Sequence, residues 1–251
     1  MGMNEALRAR LQGAIDRANN KRQNDLYKPT ENKTERVRIL PYGEDGYPFE
    51  EVFFHYGVGK GAVRCPKRNN NEPCAICEFV SELYDSGNDA SVQVAKDIRA
   101  KVSYFTPVLI REGEEAGEAK WFRLNKTNFT YVVGKMMDED YGMVQDPVDG
   151  IDLKVTLTPK DPAAGQNWPK TELDFARKNS PLIDGDDDRD LDEIMESLKP
   201  LVQIYGLSTP EEVKERLSDY LDGDAKATDT SIGTVRGSGS DDAVEAAVAN
   251  L

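Results

Sequence analysis

Every cysteine of this chain, Cys65, Cys74 and Cys77, and its only histidine, His55, fall within residues 55–77 of 251. Nine residues separate His55 from Cys65, eight separate Cys65 from Cys74, and two separate Cys74 from Cys77. Three thiolates and one imidazole make a closed tetrahedral set for Zn²⁺. The C-x-x-C pair puts two sulfurs on one side of an ion, and Pro73 restricts the turn that presents them. The plain alternative is three buried thiols and a surface histidine, since cysteine often serves as a small hydrophobe. Clustering of all four residues in so short a stretch argues against it. An odd number of cysteines leaves any disulfide scheme one short. Four protein ligands leave no open coordination position, and His55 lies in no H-E-x-x-H or H-x-E frame. The expected role is therefore one structural Zn²⁺, with no catalytic residue.

Charge divides the chain. The net charge is −14. Residues 1–40 carry an excess of four positive charges, residues 41–135 are near neutral, and residues 136–251 carry an excess of sixteen negative charges. A basic front suggests a polyanionic partner, and an acidic rear suggests a protein-binding or DNA-mimicking tail. A solvated acidic surface would give the same rear. No apolar run approaches the roughly 18 residues of a membrane helix. The start of the sequence has no signal-peptide pattern, so a reducing cytoplasm is expected, which suits zinc thiolates.

Residues 4–24 read as a basic helix with a stripe of Leu7, Leu11, Ile15 and Ala18. Arg8, Arg10, Arg17, Lys21 and Arg22 occupy its other faces. Residues 25–34 read as a polar linker. Strands are expected at 36–41, 51–56, 103–110, 120–124, 150–158 and 171–177, where apolar or branched residues alternate or cluster. Helices are expected at 78–83, 89–101, 126–137, about 191–198, and from a capped start at 208–212 to about 221. The helix at 126–137 should turn Phe129, Val132, Val133 and Met136 inward. Beyond Gly223 the composition turns to Gly, Ser, Thr, Asp and Ala, which reads as a disordered tail. The pattern is α+β and mainly β: a small barrel with a zinc knuckle and added helices. The G-V-G-K-G run at 57–61 lacks the P-loop frame, so no nucleotide site is expected.

Cations and rings interleave through the middle of the chain. The set is Lys60, Arg64, Lys67, Arg68, Lys101, Tyr104, Phe105, Arg111, Lys120, Trp121, Phe122, Arg123, Lys126, Tyr131 and Lys135. Single-stranded nucleic acid needs cations along its backbone and flat rings under its bases. Strand alternation would let Trp121 and Arg123 share one face. Phe53, Phe122 and Phe129 are expected in the core.

The motifs R-I-L-P-Y, F-H-Y-G-V-G-K, the C-P-K and E-P-C-A-I-C-E pair, S-Y-F-T-P-V-L-I and N-F-T-Y-V-V-G-K-M together resemble the single-stranded DNA-binding proteins of T-even-like bacteriophages. The resemblance covers about residues 1–222. It implies an OB-fold five-stranded core, with His55, Cys65, Cys74 and Cys77 as zinc ligands. It implies that Tyr104 and Trp121 lie on DNA-facing strands. It also implies a segment at 1–30 for cooperative binding, carried here by Arg8, Arg10, Lys21 and Arg22. The core would run from 31 to 222, with a zinc subdomain at about 55–100 and helices at about 190–222. An acidic tail at 223–251 would recruit replication proteins: a polymerase, a helicase or its loader, and a recombinase. The implied role is a non-enzymatic coat for single-stranded DNA in phage replication, recombination and repair, in the cytoplasm of an infected bacterium. Neighbouring copies on the same strand would be partners. The rival is a zinc-ribbon adaptor of a replication or transcription complex. A hydrolase is the weakest fit, because the one histidine is already committed.

Overall fold

A computed structural model describes residues 25–43, 46–183 and 190–222. The expected N-terminal helix, with Arg8, Arg10, Lys21 and Arg22, lies outside the described residues, as does the tail from 223. The strands are β1 (Leu26–Tyr27), β2 (Thr34–Ile39), β3 (Glu50–His55), β4 (Val63–Arg64), β5 (Lys101–Ile110), β6 (Ala119–Leu124), β7 (Gly150–Thr158) and β8 (Lys170–Ser180). The helices are α1 (Pro66–Asn70), α2 (Ala75–Asp85), α3 (Asp89–Ile98), α4 (Lys126–Met136), α5 (Leu191–Ser197), α6 (Leu201–Tyr205) and α7 (Pro210–Leu221). The class is α+β, with more strands than the five expected. Among the described residues, contacts divide the chain into two units, one from 25–50 with 104–204 and one from 51–103 with 205–222.

In the first unit the strands follow the order β1-β6-β5-β2-β7-β8. The β1–β6 pair is parallel and the other pairs along this path are antiparallel, so the sheet is mixed. Alternation drives this arrangement. Val37 and Ile39 from β2, Leu153 and Val155 from β7, and Phe175 from β8 close over Phe122, Leu124 and Val132. Each buried side chain of this size contributes roughly 1.5–3 kcal/mol. In α4 only Val132 is fully buried. Phe129, Val133 and Met136 are half-buried against the core, because the helix lies on its margin.

A charged knot sits at the bulged start of β7. Asp152 meets Arg38 at 2.7 Å and Arg111 at 3.5 Å. Arg38 also donates to the Ser180 carbonyl and hydroxyl, so its buried guanidinium is matched by acceptors. Position 150 must be glycine. A Cβ there would come within 2.4 Å of the Asp146 carbonyl and 2.9 Å of Arg38 Nη1.

The stretch at 25–34 is more than a polar linker. Leu26 and Tyr27 pair with Trp121 and Phe122, and Asp25 meets Lys199 at 2.6 Å. A two-residue strand is too short to leave a periodic trace in a sequence.

The second unit has the β3–β4 hairpin and helices α1, α2, α3 and α7. Its core joins Val58, Val63, Ile76, Leu83, Val94 and Ile98 to Val213 and Leu217 of α7. Helix α7 starts on a reciprocal capping box between Thr209 and Glu212, with Pro210 at its first position. Helix α3 is capped by Asn88, whose side chain accepts from Ala90 N–H.

Candidate metal centre and nucleic-acid interface

The second unit gathers His55, Cys65, Cys74 and Cys77, with their four ligand atoms all within 4.8 Å of one another. Local chemistry explains how each arrives. His55 ends β3. After it, Gly57, Gly59 and Gly61 all adopt positive φ, between 73° and 78°, and turn the chain back. Cys65 caps α1, and its sulfur accepts the Arg68 N–H at 3.4 Å. Cys74 caps α2 and Cys77 lies in the first turn of that helix, whose N-terminal dipole favours thiolates.

His55 Nδ1 faces the Ile98 carbonyl at 2.8 Å. That hydrogen bond places the proton on Nδ1 and leaves Nε2 free to ligate. Nε2 lies 3.4 Å from Cys74 Sγ and 3.6 Å from Cys77 Sγ. Cys65 Sγ lies 3.9 Å from Cys74 Sγ and 3.5 Å from Cys77 Sγ. No disulfide forms among them. Hydrogen bonds with the Cys65 and Cys77 sulfurs press the Cys74 thiol well below its usual range. Three thiols and one imidazole nitrogen therefore converge on one point, as soft ligands for a cation. The cluster could hold one metal ion.

Asn69 braces this centre and had no mark in the sequence. Its side chain exchanges two hydrogen bonds with the Phe53 backbone, at 2.8 and 3.0 Å, and donates to the Cys65 carbonyl at 2.7 Å. Around the centre, Lys60, Lys67 and Arg68 are exposed, while Arg64 and Lys101 are half-buried.

The first unit sorts the remaining expected DNA contacts into two groups. Tyr104, Arg123, Lys126, Tyr131 and Lys135 reach the surface wholly or in part. Tyr104 of β5 stacks on Phe129 of α4, with centroids 3.7 Å apart and planes 6° from parallel. Phe49 meets the edge of Phe129, and the exposed ring of Tyr47 meets Phe49. Tyr131 and Tyr141 both contact Phe175, and Lys135 Nζ sits 4.3 Å over the Tyr141 ring.

The other group lies inside or is committed to partners within the fold, against expectation. Phe105 is fully buried, because alternation along β5 sends it opposite to Tyr104. Trp121 is 1% exposed; Tyr42 meets its ring edge-on, and its Nε1 donates to the Lys199 carbonyl at 2.7 Å. Arg123 is two residues further along β6 and escapes burial because β1 pairs only with Trp121 and Phe122. Lys120 is buried between Glu115 and Glu118. Arg111 is spent on Asp152 and on the carbonyls of Pro181 and Leu182. None of these four offers an open ring face or an uncommitted cation.

Among the described residues, the exposed rings Tyr47, Tyr84 and Trp168 and the half-buried Tyr141 escaped the sequence reading. Trp168 is 54% exposed, at the end of the β7–β8 connection. That connection is ordered by paired Asp161–Gln166 backbone hydrogen bonds at 2.8 Å and by Gln166 Nε2 donating to the Pro159 carbonyl. Asn128 of α4 donates to the Thr171 carbonyl, three residues beyond Trp168. The available signal was a large ring in a polar turn, G-Q-N-W-P, with no apolar neighbour to bury it.

No helix among the described residues is long and apolar enough to cross a membrane. Rings and cations share the surface of the first unit, and the second unit carries a Cys₃His cluster. Residues 31–219 match the family described as gp32 DNA binding protein like, and the chain belongs to that family. The resemblance to phage single-stranded DNA-binding proteins is therefore upheld. Comparison with curated proteins gives no match.

Proposed function

We propose that this protein is a non-enzymatic, sequence-tolerant coat for single-stranded DNA in phage replication, recombination and repair. The observation that carries the reading is the set of partly open rings, Tyr104, Tyr131 and Trp168, on the same unit as the accessible cations Arg123, Lys126 and Lys135. Stacking on such rings is indifferent to base identity, and cations track the phosphates, so the coat needs no sequence code. Duplex DNA hides its base faces and leaves the rings without a partner. Within the second unit Lys60, Arg64, Lys67 and Lys101 add phosphate contacts. The buried Phe105, Lys120 and Trp121, and Arg111, which is committed to Asp152 and to backbone carbonyls, serve the fold instead. In this reading the sheet of the first unit is a version of the OB-fold.

The ion is Zn²⁺. Zinc bonds of about 2.3 Å to sulfur and 2.0–2.1 Å to nitrogen give tetrahedral edges of about 3.8 Å between sulfurs and about 3.5 Å from sulfur to nitrogen. The separations of 3.5–3.9 Å between sulfurs and 3.4–3.6 Å from sulfur to nitrogen bracket those values. His55, Cys65, Cys74 and Cys77 would hold it, and its chemistry would be structural, since four protein ligands leave no site for substrate.

Cooperativity falls to residues 1–30, through Arg8, Arg10, Lys21 and Arg22 meeting a neighbouring copy. Residues 31–222 form the binding core. The acidic stretch at 223–251 recruits the replication polymerase, the helicase or its loader, and the recombinase, in the host cytoplasm. Mobility titration with oligonucleotides of increasing length tests this. Affinity per site should rise with length for single strands and stay weak for duplex. Equal affinity for both forms would refute the reading.

A further inference from the structure

We propose that Arg64 is a phosphate contact held unpaired until a DNA strand supplies its acceptor, an inference that rests on the DNA-binding reading above. Nε and Nη1 of Arg64 have no open surface and no hydrogen-bond acceptor. Arg38 shows the contrast, since its buried guanidinium meets Asp152 and Ser180. Sealing donors of a charged group away from water without acceptors is destabilising. The chain nevertheless fixes Arg64 firmly. It pairs with Phe54 across the β3–β4 hairpin and directly precedes Cys65 of the metal cluster.

Lys60, Lys67 and Arg68 are exposed on the same unit, and Arg64 itself is half-buried, so part of its side chain reaches solvent. A phosphodiester suits this setting, because two of its oxygens match the guanidinium fork and it tolerates any base. Contact with a phosphate would draw the guanidinium outward and relieve the unpaired donors. Arg64 then trades stability of the free protein for affinity, a different role from the fully matched Arg38.

Arg64→Met in the full chain separates this from a structural role, because the two readouts are expected to move in opposite senses. The melting temperature should hold or rise. Affinity for an oligo-dT strand should fall, and the slope of log affinity against log salt should become shallower by about 0.7, the value of one phosphate on a single strand. The ratio of wild-type to variant affinity would then grow about five-fold for each ten-fold drop in salt. Arg64→Gln gives the same slope readout if the Met variant does not fold. An unchanged slope overturns the contact, and a lower melting temperature overturns the unpaired state. If wild-type protein fails to bind oligo-dT, the DNA-binding reading itself falls; if it binds and the variants match it, only the assignment of Arg64 does.

Discussion

Trp121→Ala should unfold the first unit far more readily while leaving DNA binding by the folded protein nearly intact. The indole is 1% exposed, meets Tyr42 edge-on at 5.1 Å and donates to the Lys199 carbonyl. Truncating a buried tryptophan costs about 3–5 kcal/mol, through lost transfer energy and the cavity left behind. The backbone bonds beside it, from Trp121 N–H to the Asp25 carbonyl and across the Leu26–Trp121 pair, survive in alanine, so the loss is that of the side chain. For a chain of this size each kcal/mol lowers the melting temperature by about 2–4 °C, so a fall of about 6–20 °C is expected. Circular dichroism melting measures that fall. Binding to a short oligo-dT, at a temperature below both transitions, should stay within about two-fold of wild type, because no base reaches a sealed ring. The reasoning is refuted if the variant melts like wild type yet loses the 1–3 kcal/mol that a stacked base is worth.

Trp168→Ala should do the opposite, costing roughly 1–3 kcal/mol of oligo-dT affinity by titration while leaving the melting temperature within a few degrees. Cys77→Ser should abolish stoichiometric zinc in metal analysis and lower the melting temperature, because metal-binding energy is folding energy; a chelator should mimic it on wild type. Acid should release the metal too, since protons compete for the thiolates, and zinc release followed with a chromogenic chelator should rise as pH falls. Glu35 provides a separate pH signature. Burial opposes its charge, but hydrogen bonds from Thr30 and Tyr27 outweigh this and hold its carboxyl below 4.5. Its contribution is present above that pH and disappears as pH falls through the lowered value. Urea unfolding should therefore show Glu35→Gln weaker than wild type at pH 7, with the gap closing in acid.

Legibility in the sequence followed the physics of each feature. The metal set was readable because ligand type and spacing are local, and four residues of two rare kinds stood together. Strand β7 was readable because its alternation runs unbroken from Gly150 to Thr158, and α7 because Thr209, Pro210 and Glu212 announce its start. What failed was the fate of individual rings and cations. Trp121 and Trp168 look alike in a sequence. Whether β1 and Lys199 cover one, or an ordered turn holds out the other, depends on partners 78 and 95 residues from Trp121 in the first case and on no covering partner in the second. Arg111 and Lys120 failed similarly, because their acceptors Asp152, Glu115 and Glu118 are brought close by strand register, which spacing does not encode.

The chain has two tryptophans, one sealed and one open, so its own fluorescence reports the central claim. Titration of the protein at low salt with oligo-dT, and then with a duplex of equal length, is the most direct measurement. The account predicts that the single strand quenches the emission of Trp168 and that added salt reverses the quenching. It also predicts that the log of affinity falls linearly with the log of salt, that duplex has little effect, and that Trp168→Phe removes the signal. Quenching by duplex as strong as by single strand, or no quenching and no retardation with oligo-dT, would contradict it.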